Sequence, residues 1–419
     1  MDQKRRTNVV LGVSQQIVGE LIFEERRNRQ SSAFRYVSEW LENPLSFAIA
    51  PNIELTDEWH YFSGSGSESL PGPVADAGPD SWGRTILQTA AGLRLNEMEV
   101  VLSVNDQTRM GALRFIDENG NIMSTSTNAV PRLNNLANLR QLIVEFEKGE
   151  GDLASLALQL RGTGDSLGGA RPKSALFDGE YLAIAKYTSE RDTMPVERME
   201  VATLNMAREV GIRASLARLE GSDSSYPLAI LQRFDRRENG RVHYISARSF
   251  LGLHEDHATA YYTDLSDGMR RHCGNGEQTI VELNELYRRI LFSILVSNND
   301  DHLKNHGFLY AGNGRWQLSP AFDINPQPFR HSQLKTGISE SSGFTASIEA
   351  AIESSAYFQI GKSEAAALAF EMARTIKNRW KHWCREAGML SRDYERYSPA
   401  FEHSEMEIAL KLGQSFHRA

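Results

Sequence analysis

An aspartate and an asparagine with the spacing Asp-x-His-x-x-Asn lie in one polar run of this chain, at Asp300 and Asn305. A second aspartate, Asp323, follows after a segment rich in turn residues. Phosphoryl transfer from ATP needs a group that orients and deprotonates a hydroxyl, and oxygen ligands that hold Mg²⁺ against the phosphates. We therefore expect Asp300 to be the catalytic residue and Asn305 and Asp323 to bind Mg²⁺. The alternative is a polar loop that only caps a helix.

An amphipathic helix and a hairpin should position these residues. The segments 307–310 and 316–318 flank the turn residues 312–314 and predict a hairpin that returns Asp323 toward the polar run. The helix is predicted directly before the run from an apolar stripe, Leu283, Leu286, Tyr287, Ile290, Leu291, Ile294 and Leu295.

Two further side chains of the run have open roles. His302 could scaffold the loop or touch nucleotide phosphates. Lys304 could stabilise the transferred charge, or it could simply be a solvated lysine. Both are candidate ATP-binding residues, as is Phe322 beside Asp323.

A glycine-rich segment lies upstream, between predicted strands, at 162–173. Glycines let main-chain N–H groups approach phosphate oxygens closely, although this segment lacks the spacing of a Walker A loop. Ser166 is a possible phosphoacceptor, and a phosphate there would place negative charge where the ATP phosphates must lie. An ordinary loop is the alternative. The candidate ATP-binding residues here are Gly168, Gly169, Ala170, Arg171, Pro172 and Lys173.

Lys186 lies in the apolar strand 183–187. A lysine that points inward needs an anionic partner, and ATP phosphates would serve. The helix residue Glu200 could orient it, whereas a water-facing lysine and a solvated glutamate are the alternatives. A later strand carries Gln232-Arg233-Phe234, which could offer main-chain groups and an apolar contact to adenine.

Composition excludes several classes of protein. The net charge of −8 is not that of a basic nucleic-acid binder, and 41% hydrophobic residues is ordinary for a globular protein. The two cysteines cannot form a disulfide framework and fit a reducing compartment. No stretch approaches the roughly 18 apolar residues of a membrane span. We expect a cytoplasmic protein without a membrane partner.

Three parts are expected along the chain: a β-rich part at 1–130, a part with the glycine-rich segment and adenine strand at 131–270, and a helical part at 271–419. Periodicity and turn residues predict the elements. Strands are expected at 9–13, 17–23, 111–115, 173–177, 181–187, 228–235 and 241–245, and helices at 133–146, 197–210, 363–384, 403–412 and from Ser81.

Several strings together resemble the HipA family of serine/threonine kinase toxins from type II toxin–antitoxin systems. The most specific is N-N-D-D-H-L-K-N at 298–305. The others are S-L-G-G-A-R-P-K at 166–173, A-K at 185–186, Q-R-F-D-R at 232–236, F-D-I-N-P at 322–326, V-G-E-L at 18–21, P-D-S-W-G-R at 79–84 and G-A-L-R-F at 111–115.

The resemblance implies an α/β, two-lobed protein-kinase-like fold with a β-rich N-terminal lobe and a helical C-terminal lobe. It implies that Asp300 is the base, that Gln232 to Phe234 form the hinge, and that Ser166 is an inactivating autophosphorylation site. ATP and Mg²⁺ are the implied cofactors. The implied partners are a small HipB-like helix-turn-helix antitoxin, DNA only through that antitoxin, and a protein target such as an aminoacyl-tRNA synthetase.

Two other functions compete with a kinase toxin. One is a nucleotide-binding pseudokinase that serves as a corepressor scaffold, which the presence of Asp300, Asn305, Asp323 and Lys186 disfavours. The other is a metal-dependent nuclease, which the net acidity disfavours. One residue departs from the resemblance: Asp301 places a second carboxylate beside Asp300, which should raise the pKa of Asp300.

Overall fold

The structure is a computed structural model of the chain. Antiparallel strands fill its first part and helices its last, which is the order that the sequence predicts. The structure describes residues 3–79, 81–124, 126, 129–161, 171–221, 227–238, 240–253, 259–328 and 333–416.

The described strands form four sheets, with the orders β4-β3-β2-β1-β5, β6-β7-β9-β8, β12-β13-β14 and β10-β11. The strands are β1 Gln3–Leu11, β2 Gln16–Arg26, β3 Arg29–Tyr36, β4 His60–Gly64, β5 Leu113–Ile116, β6 Lys173–Asp178, β7 Tyr181–Tyr187, β8 Ala217–Glu220, β9 Leu228–Gln232, β10 Arg236–Arg237, β11 Gly240–Arg241, β12 Tyr244–Ser246, β13 Gly307–Gly312 and β14 Arg315–Leu318.

Among the described ranges, no helix is both long and apolar enough to cross a membrane. Short 3₁₀ turns lie at Gly66–Ser69, Leu133–Asn135, Leu303–Asn305 and Ser355–Phe358. The α-helices are α1 Ser38–Leu41, α2 Gly72–Asp76, α3 Ser81–Ala91, α4 Glu97–Ser103, α5 Leu136–Lys148, α6 Leu153–Leu160, α7 Val196–Glu209, α8 Ala247–Phe250, α9 Tyr262–His272, α10 Glu277–Leu295, α11 Ile348–Glu353, α12 Lys362–Glu386, α13 Ser391–Glu395, α14 Ser398–Phe401 and α15 Ser404–Phe416.

The first sheet contains both strands predicted near the N-terminus, and both are longer than predicted. Alternate residues of β2, such as Leu21 and Phe23, are buried, as a sheet with one covered face requires. The prediction was wrong at Val13, because β1 ends at Leu11 and the chain then turns through Gly12 at φ +67°. A left-handed backbone favours glycine and cannot continue the strand.

The hairpin of β6 and β7 is confirmed with the predicted turn. Gly179 adopts φ +61° in that turn, which suits glycine. The register places Lys173 directly opposite Lys186. Directly opposite residues of an antiparallel pair project from the same face of the sheet, so both lysines lie on one face.

The hairpin predicted from 228–235 and 241–245 is confirmed only next to its turn, where β10 pairs with β11 and Arg236 lies opposite Arg241. The rest of the prediction was wrong, because β9 ends at Gln232 and β12 pairs with β13. The cause is the buried carboxylate of Asp235, which accepts a 2.6 Å hydrogen bond from the N–H of Gly111 and ion-pairs with Arg233 and Arg236. These contacts turn the chain out of the strand ladder.

The predicted helices are confirmed in place. The stripe predicted before the polar run is buried along α10, where Leu283, Leu286 and Ile290 have no exposed surface. The helix α7 ends just before Gly211, whose φ of +82° closes it. The C-terminal helices α12 and α15 are each slightly longer than predicted.

The chain divides into two compact units, each with its own buried core. The boundaries predicted near residues 130 and 270 stay predictions, because a division into two compact units does not test a division into three consecutive parts. The first unit contains Met1–Arg191, Ile230–Ala258 and Leu309–Gly314, and the second contains Asp192–Ala229, Thr259–Phe308 and Arg315–Ala419.

Candidate active site

The polar run begins where α10 ends, in the second unit. Ser297 adopts φ +52°, which turns the chain out of the helix. The side-chain nitrogen of Asn305 then donates a 2.8 Å hydrogen bond to the main-chain carbonyl of Asp300. This bond closes the run on itself and uses the amide nitrogen of Asn305. The amide oxygen is therefore the atom of Asn305 that can coordinate a cation.

Two hydrogen bonds, both donated by main-chain N–H groups, join the segment of Asp323 to the start of the run. The N–H of Asn325 donates to the side-chain oxygen of Asn298 at 3.1 Å, and the N–H of Gln327 donates to the carbonyl of Ser297 at 3.0 Å. The hairpin of β13 and β14 thus returns the chain to the run, as the sequence predicts. The roles of the residues in both segments stay predictions.

Asp323 has a left-handed backbone, with φ +55°. Non-glycine residues seldom adopt this conformation, although Asp and Asn tolerate it better than most. Such a residue costs roughly 1–3 kcal/mol, and such costs cluster at binding and catalytic sites. The side-chain amide of Asn325 also donates to Asp323 Oδ1 at 3.1 Å, which fixes the carboxylate.

The donor set of the second unit fits Mg²⁺. Asn305 and Asp323 offer amide and carboxylate oxygens, which this hard cation prefers. Among the described residues, the buried Oδ1 of Asn325 beside Asp323 accepts no hydrogen bond. In the same ranges, no group of three or more His, Cys, Asp or Glu side chains could hold a metal ion. A bound Mg²⁺ would therefore need further oxygens, such as those of nucleotide phosphates.

Asp301 has a role that the sequence did not suggest. Its carboxylate is buried and accepts hydrogen bonds from the Tyr262 hydroxyl at 2.6 Å and the Lys335 N–H at 2.7 Å. Burial raises the pKa of this carboxyl to about 7, and these hydrogen bonds oppose part of the rise. Asp301 thus anchors the polar run to Tyr262 and Lys335, which are both distant from it in sequence. The expected influence of Asp301 on the pKa of Asp300 stays a prediction.

The other candidate residues of the second unit differ in exposure. His302 is exposed, whereas Lys304 and Phe322 are half-buried. Glu200 lies on α7 and is buried, with only 2% of its surface exposed, so the alternative of a solvated helix face is wrong. Its pairing with a lysine stays a prediction.

In the first unit, the candidate lysines are buried. Lys173 is 4% exposed and Lys186 is 7% exposed, so the alternative of a water-facing Lys186 is wrong. Arg171 and Pro172 lead into β6, with Pro172 buried and Arg171 half-buried. The predicted residues Ser166, Gly168, Gly169 and Ala170 lie outside the described residues.

The predicted hinge Gln232-Arg233-Phe234 follows β9. The Arg233 side chain is buried and donates to Asp235 and to the main-chain carbonyl of Thr108, so its guanidinium is structural. Phe234 packs against the cluster of Val242, Tyr244 and Leu309. Gln232 is exposed. The main-chain groups of these residues stay candidates for adenine binding.

Two family models match the chain. The HipA N-terminal domain matches residues 9–116, and the HipA-like C-terminal domain matches residues 165–380. The chain belongs to the HipA family. The range of the second match contains every candidate residue of both units.

Curated relatives of the chain are more distant. A Sinorhizobium fredii (strain NBRC 101917 / NGR234) protein named "Putative kinase Y4dM" is 29% identical over 143 residues, covering 31% of this chain and 34% of that protein. A Haemophilus influenzae (strain ATCC 51907 / DSM 11121 / KW20 / Rd) protein named "Putative kinase" is 26% identical over 192 residues, covering 39% of this chain and 54% of that protein. The chain thus spans between about a third and a half of these relatives.

A solved structure matches nearly the whole chain. It is a chain from the Shewanella oneidensis MR-1 toxin–antitoxin complex of HipA, HipB and operator DNA, with a TM-score of 0.64 and 15% identity. The match covers 97% of this chain and 96% of that chain. At this identity the likeness shows the fold. The predicted α/β, two-lobed protein-kinase-like fold class is confirmed.

Proposed function

We propose that this chain is an ATP-dependent serine/threonine protein kinase that acts as the toxin of a type II toxin–antitoxin system. The observation that carries the proposal is the closed polar run, in which Asn305 binds the carbonyl of Asp300 and the segment of Asp323 is tied to the same run. A base and two oxygen ligands held on adjoining segments are the parts that phosphoryl transfer requires.

In the proposed reaction, the hydroxyl oxygen of a serine or threonine forms a bond to the γ-phosphorus of ATP. The bond from that phosphorus to the β–γ bridging oxygen breaks, and ADP leaves. The hydroxyl proton passes to the carboxylate of Asp300, which first orients the hydroxyl. Asn305 and Asp323 are the residues that would hold Mg²⁺, which when bound neutralises charge on the phosphate oxygens.

The buried lysines support binding of a polyphosphate. Lys173 and Lys186 project from one face of the hairpin and are both largely removed from water. Two ammonium groups so placed concentrate positive charge, and the low local dielectric strengthens their attraction to phosphate. Phosphate binding by Gly168, Gly169 and Ala170, and adenine binding by the main chain at 232–234, complete the proposed nucleotide site.

The partners are proposed from the family. The Shewanella structure is a complex of HipA, HipB and operator DNA. We expect this chain likewise to bind a small helix-turn-helix antitoxin, to meet DNA through that antitoxin, and to phosphorylate a protein such as an aminoacyl-tRNA synthetase. We also expect autophosphorylation at Ser166, which would place negative charge at the ATP phosphates and inactivate the protein.

Phosphoproteomics after a short pulse of expression tests the proposal. The full chain is compared with Asp300→Ala and with a control, Asp267→Ala, which alters an exposed aspartate of the same unit. The wild type and the control should add the same serine or threonine phosphosites, including Ser166, and Asp300→Ala should add none. Identical phosphosites in all three samples would overturn the proposal, and ATP binding without new sites would indicate the pseudokinase.

A further inference from the structure

Asp301 fastens the polar run to a distant segment of the second unit. Its Oδ1 accepts hydrogen bonds from the main-chain N–H groups of Lys335, at 2.7 Å, and Thr336, at 3.4 Å. Its main-chain carbonyl accepts the Thr336 hydroxyl at 2.8 Å. Its Oδ2 accepts the hydroxyl of the buried Tyr262 at 2.6 Å. One residue thus receives donors from two other parts of the chain through both its side chain and its main chain.

The segment 333–345, which we name the docked segment, is held at its centre as well. Gly337 pairs with Tyr261 as an isolated bridge, and the N–H of Tyr262 donates to the Gly337 carbonyl at 2.7 Å. A Cβ at Gly337 would lie 2.4 Å from the Tyr261 ring, so only glycine allows this approach. Tyr262 therefore contacts both the docked segment and Asp301.

We propose that Asp301 is a positioning residue that couples the docked segment to the catalytic residue Asp300. The proposal rests on the proposed kinase function. Asp300 and Asp301 share a peptide bond, and Asn305 binds the carbonyl of that bond. A shift of Asp301 must therefore move the carbonyl that Asn305 holds. Release of the docked segment by a partner or substrate would disturb the base and a metal ligand together.

A carboxylate suits this position better than an amide does. Donors from Tyr262, Lys335 and Thr336 converge on two oxygens, and both oxygens of a carboxylate accept. An asparagine has the same shape but only one accepting oxygen, so its nitrogen would face the Tyr262 hydroxyl while its oxygen keeps the main-chain N–H groups. The Tyr262 oxygen can accept from that nitrogen and turn its own O–H toward His306 Nε2, 3.2 Å away, so this substitution removes the charge of the partner but not the hydrogen bonds. An alanine instead removes the acceptor of the Tyr262 hydroxyl and of two main-chain N–H groups. Burial makes each unmatched group costly, so alanine should loosen the docked segment more than asparagine does.

Hydrogen exchange with mass spectrometry tests the coupling without reliance on activity. In Asp301→Ala, and more weakly in Asp301→Asn, peptides covering 334–337 should exchange at least tenfold faster. The same change should occur when Asp300→Ala is also present. Since Asp300→Ala abolishes the proposed chemistry, this result holds or fails separately from the kinase proposal.

Asp267→Ala is the control. Asp267 is an exposed carboxylate of the same unit whose side chain pairs with Arg270 rather than with Asp301 or the docked segment. Its loss should leave exchange at 334–337 within twofold. Should Asp301→Ala fail to fold, Asp301→Asn and Thr336→Val, which removes only the hydroxyl bond to Asp301, provide the comparison.

The kinetic constants then distinguish a positioning role of Asp301 from a general loss of structure. The kcat of phosphoryl transfer should fall at least tenfold in Asp301→Ala and by less in Asp301→Asn, whereas the KM for ATP should change less than threefold in both. Unchanged exchange at 334–337 in every Asp301 and Thr336 variant would overturn the proposal. So would faster exchange with an unchanged kcat in an active protein, because the segment would then be uncoupled from Asp300.

Discussion

The side chain of Asn305 donates a 2.8 Å hydrogen bond to the main-chain carbonyl of Asp300. The amide nitrogen of Asn305 therefore orients the main chain at Asp300, whereas its amide oxygen is the proposed metal ligand. Substitutions of Asn305 can separate these two roles. Asn305→Asp keeps an oxygen ligand but loses the donor, so kcat should fall roughly tenfold to a hundredfold, the effect of one lost hydrogen bond. Asn305→Ala should lose both roles. Rates measured across a Mg²⁺ titration check this, because only Asn305→Ala should also need more Mg²⁺.

The left-handed backbone of Asp323 allows the contribution of this residue to stability to be measured separately from its proposed role in binding Mg²⁺. Glycine adopts φ +55° without strain and alanine does not, so Asp323→Gly should be more stable than Asp323→Ala by about 1 kcal/mol. Both should lose Mg²⁺-dependent transfer. Urea unfolding of the two variants measures the difference. Equal stabilities would show that the backbone at 323 relaxes and carries no strain.

The lysine pair predicts a specific loss of nucleotide affinity. Lys186→Met and Lys173→Met keep the length and the apolar stem but remove the charge, so each should weaken ATP binding roughly tenfold to a hundredfold. Lys148→Met is the control, since Lys148 is an exposed lysine of the same unit that pairs with Glu190. Calorimetric titration with ATP checks the affinities. If both Lys186→Met and Lys173→Met bound ATP with wild-type affinity, neither lysine would contribute to the nucleotide site.

The buried His243 should make the first unit sensitive to acid. Burial lowers the pKa of this imidazole to about 4, and its Nε2 lies 2.8 Å from the carbonyl of Ile49. The unfolded chain has a histidine pKa of about 6.5, so the stabilising contribution is complete above that pH. It is lost as the pH falls from about 6.5 to 4, by roughly 3 kcal/mol.

His243→Gln removes the titrating group and should flatten this part of the stability profile. Chemical unfolding of both proteins between pH 7 and pH 4 measures the two slopes. Parallel slopes would mean that His243 is already solvated and that its burial is not maintained in solution.

Local patterns were enough to predict much of the fold. The stripe of α10 and the turn at Gly179 depend on neighbours in the chain, so their periodicity and turn chemistry are readable from the sequence. The elements that were missed include β3, β4, α6 and α9. The helix α4 was also missed, although a capping box of Asn96 and Glu99 begins it and is a usable signal.

Long-range contacts explain the remaining errors. The first strand of the predicted hairpin, which begins at Leu228, stops at Gln232 because Asp235 bonds to Gly111, which is distant in sequence. The role of Asp301 depends on Tyr262 and Thr336, and nothing in the sequence near Asp301 announces either partner. Spacing could nominate Asp300, Asn305 and Asp323, because the residues of the polar run are local and the hairpin that leads to Asp323 is short.

Transfer of radiolabelled phosphate from ATP to protein, with and without Mg²⁺, tests the central claim most directly. The purified chain should label itself or a protein in a lysate only when Mg²⁺ is present. Asp300→Ala and Asp323→Ala should reduce labelling by roughly a hundredfold to ten-thousandfold, with ATP still bound by Asp300→Ala. Labelling that survives both substitutions would contradict the proposal that Asp300 and Asp323 carry a kinase reaction.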